Sequence, residues 1–206
     1  TTVRLVPVKP DRIRASEDVT ENSRRLWIYY SEEVGKNVTY TIERSEADKD
    51  DYQVIAENVA ISEGETSYTD ENCLFELSGD MPRILNYKSR VKVVGDGMES
   101  DYVTLDAIKT VSEETKEVSA EARVFTSNNW STWNRMDVRH AENVNCVYSF
   151  YREAESGSEW KAVESSCVTR LTLGNTYEAY GLSKNSDIYY PGGNTVTVRM
   201  IPDQPD

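Results

Sequence analysis

Few residues in this sequence could do chemistry. A single histidine, His140, stands in RMDVRHAEN, three cysteines stand at Cys73, Cys146 and Cys167, and oxygen ligands gather in DKDD (48–51) and GDGMESD (95–101). A serine nucleophile needs a base beside it, usually on a strained turn, and no G-x-S-x-G sequence supplies that turn. His140 therefore reads as a surface or turn residue rather than a general base. Cys146 and Cys167 fall in predicted strands, where a packed or bridged thiol is the simpler reading. One bridge between them would leave Cys73 as a single small buried residue. Zinc needs three or four nitrogen or sulfur ligands at a recognisable spacing, which one His and three scattered Cys do not give. Calcium would suit the two acidic runs chemically, but neither follows a twelve-residue loop closed by Glu. GDG and PGG lack the Lys and following helix of a phosphate loop. The chain is expected to be no enzyme, with no catalytic residue, no metal and no cofactor.

Binding is easier to find than catalysis. Trp130 and Trp133 stand in SNNWSTWN among Asn, Ser and Thr; they read first as core or interface residues, and as the alternative exposed rings would stack on sugars while amides meet hydroxyls. Tyr189 and Tyr190, just before PGG, read first as turn packing, with a second exposed aromatic patch as the binding alternative. Asn37-Val-Thr and Asn129-Trp-Ser satisfy the glycosylation triplet.

Such residues need a scaffold, and the composition allows one. The 206 residues suffice for two domains of about 100 each. Hydrophobic residues make up 38%, too many for a disordered chain, yet no run approaches the roughly 18 apolar residues of a membrane span. The 36 Asp and Glu against 23 Lys and Arg give a net charge of -13, which repels phosphate backbones and argues against nucleic acid. TTVRLVPVKP has no apolar core of the signal-peptide type, so the chain is expected to be mature protein or part of a longer one.

An internal repeat sets the architecture. YTIERSEADKDDYQVI (40–55) aligns without a gap to YSFYREAESGSEWKAV (148–163) at an offset of 108 residues. Tyr40 meets Tyr148, Ile42 meets Phe150, Arg44 meets Arg152, and Tyr52 meets Trp160. That period implies two domains of one kind rather than a solenoid. Each copy reads as a hairpin, its bulky residues alternating on a strand before a polar turn. RRLWIYY, NYKSRVKVVGDG and DYVTLDAI add strands to the first half, and NVNCVYSFYR, CVTRLTL, NTYEAYGL and NTVTVRMI add strands to the second. In residues 109–140, Val118, Ala120, Ala122 and Val124 alternate and read as an edge strand in preference to a helix. The fold class is all-β: two tandem seven-stranded antiparallel sandwiches, residues 1–108 and 109–206.

Both halves resemble fibronectin type III domains. In the first the likeness lies in YTIERS, YQVIAENVA, GETSYTDEN, YKSRVKVV and SDYVTL; in the second it lies in YSFYRE, EWKAV, SSCVTRL, LTLGNTYEAYG and NTVTVRM. LTLGNTY (171–177) resembles the family's loop leading to a corner tyrosine, with Leu171, Gly174 and Tyr177 matching and Leu173 in place of the usual Pro. The resemblance implies that Tyr177 packs its ring inside and closes the loop with its hydroxyl. It also implies that Trp27 is the tryptophan the family carries on its second strand. Tyr40 and Tyr148 take structural places, and LFELSGDMPRILNY (74–87) stands where the first domain's corner loop falls. Such domains serve as spacers and adhesion units, including in bacterial surface proteins. The resemblance therefore implies a tandem scaffold, spacer or protein-interaction module of a secreted or cell-surface protein. The alternatives are a carbohydrate-binding module or adhesin using Trp130 and Trp133, and a receptor-like ectodomain binding a protein. The partner is a protein or a glycan, with no nucleic acid and no membrane insertion.

Overall fold

The computed structural model describes residues 6–33, 37–107, 109–126, 132–140, 144–154 and 158–201, with only the backbone at 125, 126, 132 and 133. The chain divides into two compact units, Thr1–Leu74 with Leu85–Ile108, and Phe75–Ile84 with Lys109–Asp206. In chain order the first half contains β1 (Arg12–Asp18), β2 (Ser23–Tyr30), β3 (Val38–Glu46), β4 (Gln53–Ala60), β5 (Gly64–Glu71), β6 (Phe75–Glu76), β7 (Arg83–Ile84), β8 (Tyr87–Gly95), β9 (Met98–Glu99) and β10 (Val103–Leu105). The second half contains β11 (Thr110–Val111), β12 (Val118–Thr126), β13 (Thr132–His140), β14 (Val144–Asn145), β15 (Tyr148–Glu153), β16 (Lys161–Val163), β17 (Cys167–Thr169), β18 (Thr176–Asn185), β19 (Ile188–Pro191) and β20 (Val196–Arg199). The described residues contain no helix, and each unit is a sandwich of chiefly antiparallel β-strands.

The first unit pairs a sheet ordered β1-β2-β5 with one ordered β10-β8-β3-β4. Strand alternation decides what enters the core. Leu26 and Ile28 from β2, Tyr40 and Ile42 from β3, and Val91 and Val93 from β8 are all fully buried between the sheets. Each such burial stabilises by about 1.5–3 kcal/mol. The β8–β9 hairpin turns at Asp96 and Gly97, both at positive φ (50° and 74°), the backbone that a two-residue turn between twisted strands requires.

The second unit repeats the plan. β12, β13, β14 and β17 form one sheet, and β11, β19, β18, β15 and β16 form the other, with β20 also paired to β18. Met136, Val138, Val168, Tyr177, Ala179 and Met200 lie at its centre. Residues 75–84, which fall within the expected first domain, are held in this unit as the β6–β7 hairpin. The hairpin covers a second apolar face. Phe75 packs edge-on against Tyr148 (5.5 Å) and Phe150 (4.9 Å), and the Trp160 indole N–H donates to the Gly79 carbonyl at 3.2 Å. This unit therefore has a third layer.

The ungapped repeat alignment needs correction in register. Tyr40 and Arg44 point between the sheets of the first unit. Tyr148 and Arg152, their sequence partners, share the opposite face with Phe150, Tyr180 and Leu182, under the β6–β7 hairpin. Ser149, Tyr151, Ala179 and Gly181 take the inner face instead. A slip of one residue inverts every side chain of a strand.

Candidate functional site

The groups that could react are placed in structural positions. His140 is 2% exposed, contrary to the expected surface or turn site. Its Nδ1 accepts the Ser183 hydroxyl at 2.7 Å, and its Nε2–H donates to the Gly181 carbonyl at 3.0 Å. This tautomer follows from the carbonyl, which can only accept. Burial lowers the pKa of the ring. Ser183 is 5% exposed, so no substrate reaches the pair.

The cysteines are free thiols, and the bridge drawn between Cys146 and Cys167 is not made. Cys146 lies in the core against Gly181 and Val138, whereas Cys167 stands on β17 opposite Asp137. Burial pushes Cys73 and Cys146 up to about 12 and also raises Cys167, away from the thiolate form that reacts.

The acidic runs are tied down as well. Asp50 meets Lys88 at 2.6 Å, and Glu99 meets Lys92 at 2.7 Å. Among the described residues no group of three or more His, Cys, Asp or Glu is placed to hold a metal. No helix among them is long and apolar enough to cross a membrane.

The expected binding aromatics fare unevenly. Trp130 and Asn129 lie outside the described residues. The backbone of Trp133 stands at the start of β13, opposite Phe125. Tyr189 is buried, not part of an exposed patch: its ring stacks on Tyr148 at 5.8 Å and 7°, with Lys184 above it. Tyr190 is half-buried beneath the Lys116 ammonium. Asn37 occupies an exposed turn at φ 61°. The Tyr177 ring is buried, and its hydroxyl accepts the Thr172 N–H at 2.9 Å across the loop.

Leu26 and Ile28 point inward on β2, so Trp27 must point out, and it sits half-buried on the outer face of the β1-β2-β5 sheet. Strand register lays that face out in rows: Arg12–Tyr29–Glu65, Arg14–Trp27–Ser67, Ser16–Arg25–Thr69 and Asp18–Ser23–Glu71. The Arg12 guanidinium lies 4.0 Å above the Tyr29 ring, and Arg14 lies 5.9 Å from it. Glu65, opposite Tyr29 on β5, raises the pKa of the Tyr29 hydroxyl. Beside Trp27 an open cleft of about 590 Å³ is lined by four carboxylates, Glu17, Asp18, Glu21 and Glu71, and by Arg25, among others. The sequence places Trp27 as the second-strand tryptophan and draws no attention to Arg12, Arg14 and Tyr29. The signal was the period of two in RIRASED and RRLWIYY, which sets arginines and aromatics against Ile13, Leu26 and Ile28.

The outer face of the β10-β8-β3-β4 sheet differs, because it is filled by its own side chains. Arg90 lies between Tyr52 (3.9 Å) and Tyr102 (4.1 Å) and is held by Glu43 at 2.6 Å. Lys88 and Lys92, two residues to either side on β8, extend the stack over the same two rings. Every cation in this ladder has a carboxylate, so it offers little unspent hydrogen bonding.

No family model and no curated protein matches the chain. Among solved structures, it is similar to the chicken interferon gamma receptor alpha chain. The identity is 15% and the TM-score 0.36, over 96% of this chain and 100% of that one. It is also similar to the FN1–FN3 domains of chicken CNTN1, at 15% identity and a TM-score of 0.33, over 95% of this chain and 67% of that one. Likeness at this level assigns no ligand, partner or activity to the chain.

Proposed function

We propose that this chain is a non-catalytic, tandem protein-interaction module of a secreted or cell-surface protein, built from modules 1–108 and 109–206. One observation carries the reading. His140, Cys73 and Cys146 are buried and Cys167 is a half-buried thiol with a raised pKa, whereas the outer face around Trp27 presents Trp, Tyr and Arg on a sheet. Those three residue types dominate the energetics of protein interfaces, because each combines a large contact area with directed polar groups. The cell-surface setting is supported by the tandem sandwich architecture, which holds binding faces on a regular frame.

The test is a surface plasmon resonance panel of purified ectodomains, run beside a glycan array, with the wild type and Trp27→Ala. The expected result is at least one protein ligand whose binding falls tenfold or more in Trp27→Ala, with an unchanged melting temperature. Binding confined to glycans, or a protein ligand indifferent to Trp27, would sink the reading.

A further inference from the structure

We infer that the cleft beside Trp27 binds the ammonium of a lysine on a partner protein, with Asp18, Ser23 and Glu71 as its acceptors. This rests on the interaction-module reading and adds the chemistry of the partner. Strand register puts the three side chains in one row, Ser23 on β2 between Asp18 on β1 and Glu71 on β5. Ser23 is 8% exposed and lines the cleft, and its hydroxyl makes no hydrogen bond among the described residues. A buried hydroxyl ordinarily finds a partner in its own protein, so an unspent one facing a cleft marks a place for an outside group. The carboxylates on either side are exposed. Neither makes an ion pair among the described residues, unlike Glu43, Asp50, Asp70 and Glu99 elsewhere in the unit.

The charges around the cleft favour a cation. Asp18, Glu21 and Glu71 stand there against one guanidinium, Arg25, while Glu17 already has a partner of its own. Asp18 accepts the Glu21 N–H at 3.1 Å, which leaves most of its lone pairs open. A bare metal ion fits poorly, since no group of three or more His, Cys, Asp or Glu among the described residues is placed to hold one. An ammonium suits the wider spacing. Asp18 and Glu71 belong to the strands on either side of β2, about 10 Å apart at the backbone, with Ser23 midway. Three N–H donors on one nitrogen can then meet a hydroxyl and two carboxylates, each contact to a carboxylate assisted by charge. Arg25 stands in the next row and Arg14 in the row beyond it. These cations repel a second positive charge, so the site selects one lysine rather than a basic run. Trp27, about 13 Å along β2 from Ser23, gives the same partner an apolar contact.

The experiment is selection of a random twelve-residue peptide library, displayed on phage, against the whole chain and against Asp18→Asn/Glu71→Gln. The leading peptide is then synthesised with its lysines free and with them acetylated, and a glycan array is run beside it. The expected outcome is enrichment of Lys at least twofold over the input library, at a single consensus position. Retained phage should fall tenfold or more on the double variant, and acetylation should weaken the peptide by the same factor. A consensus without lysine, a polybasic consensus, no enrichment, equal retention by the double variant, undiminished binding of the acetylated peptide, or binding confined to glycans would each overturn the inference. Should the double variant fail to melt cooperatively, Glu71→Gln alone replaces it, with a threefold criterion. An ectodomain ligand lost in Trp27→Ala but kept in the carboxylate variant would sink this inference and leave the proposed function standing.

Discussion

Arg24 on β2 and Asp70 on β5 face one another across the sheet at 3.3 Å, with side chains 4% and 3% exposed. The pair also ties the two sheets of the first unit. Arg24 donates to Ser89 (2.6 Å) and to the Tyr87 carbonyl (2.8 Å) on β8, and Asp70 receives Arg44 of β3 at 2.5 Å. An isolated buried pair is a poor source of net stability, but removing one member strands the other. Asp70→Ala is therefore expected to cost about 3–5 kcal/mol, because two guanidiniums lose their carboxylate. Urea unfolding of the variant measures it; a loss below about 1 kcal/mol would show that water replaces the carboxylate.

In the second unit, His140 makes stability depend on pH. Burial lowers its folded pKa below the unfolded value of 6.5, and the nearby Lys116 charge adds to this. Protons then bind the unfolded chain more readily. The stabilisation is fully present above about pH 6.5 and declines as pH falls through the window between the unfolded and folded values. Replacing the ring by glutamine should flatten that part of the stability profile. The check is denaturant unfolding between pH 7.5 and pH 5 for wild type and His140→Gln; parallel profiles would refute the assignment.

Beside the histidine, Gly181 is required for lack of space. A Cβ there would stand 2.4 Å from the Cys146 sulfur and 3.1 Å from a Val138 methyl. Gly181→Ala should cost about 1–3 kcal/mol through overpacking, even though the backbone is ordinary strand. The double variant Gly181→Ala/Cys146→Ala removes the obstructing sulfur, and thermal melts should show it recovering part of the loss.

The β6–β7 hairpin gives a fourth outcome. Phe75 is 1% exposed and stands edge-on to both Tyr148 and Phe150. Phe75→Ala is expected to destabilise the second unit by about 3–5 kcal/mol. Hydrogen exchange at β15 and β18 should accelerate, while exchange at β2 and β3 stays near the wild-type rate.

Much of the fold was legible because sandwich strands announce themselves by alternation and by Gly, Asn and Asp turns. The sequence repeat correctly located both hairpins, yet it aligned Tyr40 with Tyr148 across opposite faces. Alternation gives a period, not a phase: it cannot say which of two bulky rows faces the core when both are aromatic. YSFYRE carries Tyr148 and Phe150 on one face and Tyr151 on the other, and both faces are covered, one by the opposing sheet and one by β6–β7. LWIY shows the same ambiguity, since it places large apolar residues in both rows. The covering hairpin itself comes from residues 75–84, a packing that no local pattern encodes.

Tyr177 is the place where local and tertiary signals coincide. Its ring is buried beside Tyr151 at 6.3 Å, and its hydroxyl accepts the Thr172 N–H at 2.9 Å. Gly174, at φ 90°, makes the intervening loop tight enough for that reach, and its N–H in turn bonds to the Met200 carbonyl at 2.7 Å. Tyr177→Phe keeps the ring and removes only the acceptor, leaving a partly buried backbone donor without its partner. The expected cost is about 1–3 kcal/mol, set by the desolvated N–H rather than by lost packing. Unfolding curves for Tyr177→Phe and Tyr177→Leu separate the two contributions. If the hydroxyl closes the loop, phenylalanine is already destabilising and leucine adds a further packing loss; a phenylalanine variant as stable as the wild type would mean that the ring alone holds the corner.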